Sequence, residues 1–104
     1  MSSLPIKTSI ADLISQQQDK YYVVMLSTDF DRDAVAKYID SNKDIKYWFY
    51  TLPYSIFIKT HLTAAHVSNL IETNFGLHPH LVAEITNNYF GRLDAIVWQH
   101  LPPQ

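Results

Sequence analysis

The apolar residues of this chain change period along its length, from two to about 3.6 and back, and that alternation restricts the available folds more than any single residue does. Tyr21 to Ser27, YYVVMLS, is β-branched and aromatic and apolar on both faces, the pattern of a strand inside a sheet. Asp33 to Ser41 then sets Val35, Tyr38 and Ile39 on one helical stripe, preceded by Asp29 and Asp31 where an N-cap and the helix dipole favour carboxylates. Ile45 to Tyr50 alternates Ile45, Tyr47 and Phe49 with Lys46, Trp48 and Tyr50, and Tyr54 to Thr60 repeats the period across a turn holding Pro53, which predicts a hairpin. Thr63 caps a second helix with Val67, Leu70, Ile71 and Phe75 on its stripe, and Gly76 stands where a left-handed C-cap residue belongs. Leu81 to Thr86 reads as a fourth strand. At the ends, Ile10, Leu13 and Ile14 after Thr8 and Ser9 predict a short helix at about 9 to 18. GRLDAIVWQHL sets Leu93, Ile96, Val97 and Leu101 on one stripe before Pro102 and Pro103, which predicts a terminal helix.

The resulting order, β-α-β-β-α-β, is that of an α+β, ferredoxin-like domain: a four-stranded antiparallel sheet with helices on one face, here with short N- and C-terminal helical extensions. The 104 residues, 47% of them apolar, suffice for one core, and neither a repeat nor a Gly/Ser linker divides them. The expected organisation is an N-terminal extension at 1–20, the domain at 21–90 and a docking helix and tail at 91–104. The non-helical sheet face needs a cover. One assignment of the faces points Trp48, Tyr50, Phe57 and Val82 away from the helices, more aromatic surface than a small monomer leaves in water. A homodimer or the terminal helices should cover it, which makes Trp48, Tyr50, Phe57, Leu93, Ile96 and Val97 the candidate interface residues.

Several chemistries lack their residues. With eight Lys and Arg and a formal net charge of −2, a phosphate backbone meets no strong basic field, so nucleic acid is weakly supported as a partner. The chain has no cysteine, which removes thiolate nucleophiles and Cys-type zinc sites and fits a reducing compartment. Without an apolar leader or an 18-residue apolar run, neither a signal peptide nor a membrane span is expected, and cytoplasm is the expected location. None of the five histidines shows the H-x-x-x-H spacing of a helical zinc site, and His78-Pro79-His80 reads as a turn. Gly76 and Gly91 are the only glycines, so there is no phosphate loop, and no G-x-S-x-G turn activates a serine. The run Tyr47 to Tyr50 suggests a base-stacking platform, but consecutive strand residues alternate faces, so at most two share a surface and packing explains them better. Asn87 to Arg92 combines polar turn residues, two aromatics and an arginine. That cluster suits a grip on a small anion or a partner peptide, and equally a turn with a docking tail.

The stretch from Leu52 to Ile85, LPYSIFIKTHLTAAHVSNLIETNFGLHPHLVAEI, resembles the CRISPR-associated Cas-two-like superfamily, closest to its stand-alone SinR-like small bacterial proteins. The resemblance lies in a hairpin strand ending in Lys59-Thr60, a helix start at Leu62-Thr63, and the strand residues Leu81, Val82, Glu84 and Ile85. It implies a homodimer of ferredoxin-like subunits, some relatives being metal-dependent nucleases and others structural subunits that dock nucleic acid or partners. Nuclease members carry an aspartate at the end of the first strand, one from each subunit, holding a divalent metal across the dimer axis. Here that position is Ser27, whose neutral hydroxyl is a weak ligand for a hard cation. The first expectation is therefore a non-catalytic homodimer with an interaction or regulatory role, possessing no cofactor and open to a protein partner. The first alternative is a divalent-metal-dependent endoribonuclease using Ser27 and Asp29, with Asp29 and Asp31 as metal candidates and Mg or Mn as cofactor. The second is a ligand-binding module whose pocket wall is the open sheet face, which requires a concave apolar cavity there. The acidic turn Asp29, Asp31 and Asp33 reads first as caps and solvated first-turn charges.

Overall fold

The computed structural model describes residues 18–104, so the expected helix at about 9 to 18 and most of the N-terminal extension lie outside the described residues. Strand β1 (Lys20–Leu26), helix α1 (Arg32–Ser41), β2 (Ile45–Phe49), β3 (Ser55–Thr60), helix α2 (Ala64–Phe75) and β4 (His80–Ile85) follow in the order that the apolar periods predict. The strands form one antiparallel sheet in the order β2-β3-β1-β4. The fold is thus α+β, an open four-stranded antiparallel sheet with helices.

Both helices lie on the same face. Tyr22, Val24 and Leu26 of β1 and Ile56 and Ile58 of β3 share one core with Val35, Ala36 and Ile39 of α1 and Val67 and Ile71 of α2. Each of these side chains sits at an every-second-residue position of its strand or on one stripe of its helix, so one face of each element is removed from water. Thr60 is fully buried at the end of β3, and its hydroxyl donates to the Asp44 carbonyl at 2.5 Å while accepting from Leu62 N–H at 3.2 Å. It joins the start of β2 to the approach of α2 with no polar atom left over, which gives the threonine of the Lys59-Thr60 pair a structural reason.

The helix ends follow from their residues. Asp31 caps α1 and Thr63 caps α2, the latter accepting from His66 N–H at 3.1 Å. Gly76 ends α2 with φ 96° and ψ 174°. Its φ is positive as expected, but ψ lies outside the left-handed helical basin, in a region that essentially only glycine populates. Chain reversal into the extended His78-Pro79-His80 segment needs that conformation.

The expected distribution of side chains on β2 is corrected. Ile45 pairs with Thr60 but Tyr47 pairs with Lys59, so Lys46 is an extra residue in a β-bulge and alternation changes phase there. Ile45 joins the helix-side core together with Trp48, while Tyr47 and Phe49 face the other way. Trp48 pairs with Ile58 and Phe49 with Phe57, and cross-strand partners share a face, so Trp48 and Phe57 stand on opposite sides. Trp48, Tyr50 and Val82 thus point toward the helices. Trp48 Nε1 donates to Asp40 of α1 at 2.9 Å, and the Tyr50 hydroxyl donates to Asp33 at 3.4 Å. Of the four residues expected on the non-helical face, Phe57 alone lies there.

That face is covered in part by the chain's own tail. Phe57 packs with Val97 and Leu101, flanked by Val23, Phe49, Ile85, Tyr89, Leu93 and Trp98. In place of the predicted terminal helix, the tail runs without regular structure after β4 and then makes a single 3₁₀ segment, Ala95–His100. Two causes act together: Asp94 makes no side-chain capping bond, and six residues before Leu101 and two prolines cannot repay the cost of nucleating an α-helix. At three residues per turn, neighbours stand about 120° apart, so Ile96 and Val97 cannot share a face. Val97 is buried and Ile96 is 64% exposed.

Candidate functional site

The acidic turn after β1 is built around a cap. Asp31 Oδ1 accepts from the backbone N–H of Asp33 at 3.1 Å and of Ala34 at 3.3 Å, which satisfies two donors that the first turn of α1 would leave orphaned. Asp29 does something else: it is exposed, and its Oδ2 accepts from the Ser27 hydroxyl at 3.3 Å. Asp33 points back along the helix to Arg32, at 3.6 Å, and to the Tyr50 hydroxyl. Among the described residues, no three acidic or imidazole side chains converge on a point where a cation would sit. The structure brings Ser27 and Asp29 together and keeps Asp31 apart from them on the helix start.

Beside that turn lies a clasp that the residue pattern did not reveal. Arg32 lays its guanidinium 3.6 Å from the centroid of the Tyr50 ring and donates through Nη1 to the carbonyls of Pro53 at 2.9 Å and Leu52 at 3.4 Å. These contacts bind the start of α1 to the β2–β3 turn beside a cleft of Phe30, Asp31, Pro53 and Tyr54; they engage Nη1, Nη2 lies 3.6 Å from Asp33, and Nε is buried with no hydrogen-bond partner among the described residues. No spacing rule connects residue 32 to residues 50–53; the contact exists only once the sheet is assembled.

A second unforeseen contact joins α2 to β4. Ser68 Oγ lies 2.7 Å from His80 Nε2, and His80 Nδ1 lies 2.8 Å from the His78 carbonyl. A carbonyl only accepts, so Nδ1 carries the hydrogen and Nε2 of the neutral ring accepts from the serine. This is the order of contacts in a serine–histidine pair, but neither the Arg32 cleft nor the tail cavity reaches Ser68. Phe30 closes over both imidazoles, its ring centroid 5.3 Å from that of His78 and 6.0 Å from that of His80. The chain of hydrogen bonds acts as a tether. Among the described residues, His61 and His66 join no such network; His66 is exposed on α2.

The non-helical face carries a concave apolar site. A cavity of about 240 Å³ opens between the sheet and the tail. Phe57 and Ile85 form its floor, Tyr89, Leu93, Trp98 and Leu101 its tail side, and Leu52, Phe90 and Arg92 its rim. Aromatic planes line up on both sides: Phe49 stacks on Phe57 with centroids 5.0 Å apart, and Tyr89 on Trp98 at 6.2 Å. The tail is held in place by hydrogen bonds to its backbone. The Tyr47 hydroxyl donates to the His100 carbonyl at 2.7 Å, the Tyr89 hydroxyl to Pro102, and the Gln104 amide to Tyr89. Burial, the neighbouring Tyr21 phenol and the Asp19 charge push the Tyr47 pKa up to about 12. Burial, with the Glu84 charge adding, also raises that of Tyr22, whose hydroxyl donates to the Leu62 carbonyl on the other face.

The aromatic run at residues 47–50 divides between the two faces. Tyr47 and Phe49 pack toward the tail, Trp48 and Tyr50 stack toward α1, and no continuous platform for bases results. Of the candidate interface residues, Phe57, Leu93 and Val97 lie within the sheet–tail contact, Ile96 faces solvent, and Trp48 and Tyr50 lie on the helix side. The Asn87–Arg92 cluster does reach a cavity, through Tyr89, Phe90, Gly91 and Arg92. Among the described residues, no helix is long and apolar enough to cross a membrane. Searches against family models, curated proteins and solved structures find no match to this chain.

Proposed function

We propose that the protein is a non-catalytic interaction subunit of ferredoxin-like, Cas-two-like architecture that works as a homodimer. The observation that carries the reading is the part of the non-helical face that the tail leaves bare. Met25 of β1 and Leu81 of β4 stand directly opposite each other on that face, 51% and 56% exposed, and Leu52, Phe90 and Ile96 are exposed as well. Isolated exposed apolar residues need no explanation, but a cross-strand pair at the uncovered end of a sheet face is surface that a second molecule would remove from water. The pair lies at the same end of β1 as Ser27, where Cas-two-like dimers have their axis, so the resemblance and the surface agree on where two copies would meet.

The succession of elements and the strand order β2-β3-β1-β4 support the ferredoxin-like assignment, because each β-α-β unit is split by an intervening strand. The arrangement of the acidic turn supports a role without catalysis. Asp31 serves the helix, Ser27 replaces the expected aspartate, and Asp29 is engaged by that serine. Sedimentation equilibrium on the full chain across the micromolar range tests the reading. A concentration-dependent dimer is expected; a monomer throughout would overturn it. A ribonuclease assay with Mg and Mn on the same preparation tests the catalytic alternative, with cleavage lost in Asp29→Ala as the outcome that would establish it.

A further inference from the structure

We infer that the cavity between the sheet and the tail binds a small planar aromatic carboxylate, its ring lying among Phe57, Tyr89 and Trp98 and its carboxylate held by Arg92 at the rim. The inference does not depend on two copies pairing. Three observations carry it. The size comes first: about 240 Å³ is below the roughly 300–1,000 Å³ of sites for drug-sized molecules, so the occupant has one or two rings at most. The second is shape, since flat rings line the space from both sides: Phe57 on the sheet, itself stacked on Phe49 at an interplanar angle of 11°, and Tyr89 with Trp98 on the tail at 10°. Flat aromatic walls favour a flat occupant, which can lie offset or edge-on to them.

The third observation is charge. Among the described residues, Arg92 is the only charged one lining the cavity; it is exposed, and the ion pairs found there, Arg32 with Asp33 and Lys46 with Asp19, do not use it. One guanidinium matches the two oxygens of one carboxylate through paired N–H groups, whereas a phosphate carrying nearly two charges would find a single cation here. Phe90 reinforces the reading. It lines the rim yet is 93% exposed, with its ring centroid 5.8 Å from that of Trp98, an arrangement that a bound ring would cover. Gly91 between Phe90 and Arg92 has nothing within 4 Å of where a Cβ would stand, so the rim is open to entry.

The test is proton–nitrogen correlation spectroscopy on the full chain, titrated with phenylacetate and indoleacetate and, separately, with their neutral amides. Trp98 reports on the cavity, and Trp48, on the opposite face of the sheet, is the internal control. A saturable shift of the Trp98 indole signal with an unmoved Trp48 signal is expected for the carboxylates. The amides, and the carboxylates against Arg92→Gln, should bind about tenfold more weakly or worse, because a charge-assisted pair is lost. Absence of saturation up to roughly 10 mM would overturn the inference. So would equal affinity for acid and amide, or a folded Arg92→Gln variant that binds the acids unchanged. Saturable shifts at Trp48 in place of Trp98 would likewise overturn it, by putting the ligand on the helix side.

Discussion

The three aspartates at 29, 31 and 33, after β1, do different things, and the difference is measurable one side chain at a time. Asp31 accepts two amide hydrogens at the start of α1, so Asp31→Ala should cost roughly 0.5–2 kcal/mol in a denaturant melt. Among the described residues, Asp29 accepts only from the Ser27 hydroxyl, in an exposed bond, so Asp29→Ala should stay within about 0.5 kcal/mol of the parent chain. A larger loss at Asp29 than at Asp31 would contradict the cap. Tyr47 gives a second residue-scale prediction, this time in pH. Its pKa is raised from 10.0 to about 12, so the folded chain keeps a phenol proton that the unfolded chain gives up near pH 10. Unfolding then releases a proton between about pH 10 and 12. The contribution of this group is intact below pH 10 and is lost as pH rises through that window. The absorbance of phenolate should show late-titrating tyrosines, Tyr22 and Tyr47, of which one is lost in Tyr47→Phe, and the variant should lose less stability than the parent between pH 10 and 12.

Among the elements, the tail is where stability and legibility meet. Val97 and Leu101 are buried against Phe57, each such side chain being worth roughly 1.5–3 kcal/mol, and Tyr47 and Tyr89 bond to the tail's backbone. A chain ending after Phe90 should therefore melt roughly ten degrees or more below the full chain. An unchanged melting curve would mean that the tail adds nothing to the fold. That the tail docks was legible, since its apolar residues are too many for free solvent; how it docks was not. The residues fit an α-helical period where a short uncapped segment makes a 3₁₀ turn, and a three-residue turn has no stripe to hold Ile96. The strands and helices themselves were legible because each carries a full face of apolar residues and α1 and α2 carry their caps. The bulge at Lys46 was not, since an extra residue leaves the composition of β2 unchanged and shifts only its phase, and with that phase went the facing of Trp48 and Tyr50. At the candidate sites, Asp31 announced itself through helix chemistry and Arg92 through its turn. The Arg32 clasp and the Ser68–His80 tether join residues 12 to 21 positions apart that share no period, so only the assembled sheet reveals them.

For the whole molecule, the decisive asymmetry is between the sheet's two faces. The helix side is closed by α1 and α2 over a core that includes fully buried Val24, Val35 and Ile56, whereas the other side is closed by the tail over β3 and its neighbours and left open near the end of β1. Met25 and Leu81 lie in that opening, exposed and mutually paired, and a single chain gains nothing from them. Charge placed there should therefore leave the fold alone: Met25→Lys and Leu81→Lys are each expected to change the stability of the isolated subunit by no more than about 0.5 kcal/mol, as for surface positions without special contacts. Association is a different matter. In a symmetric pair each substitution appears twice across one axis, bringing like charges together in a contact that loses its water. If two copies pair as proposed, the double variant should sediment as a monomer at concentrations where the parent chain pairs, with far-ultraviolet circular dichroism unchanged. If the double variant still pairs, the interface lies elsewhere, and the remaining exposed residues of the tail, Phe90 and Ile96, become the positions to charge next. If it unfolds, Met25 and Leu81 belong to the core of the subunit and the open face is not a surface at all.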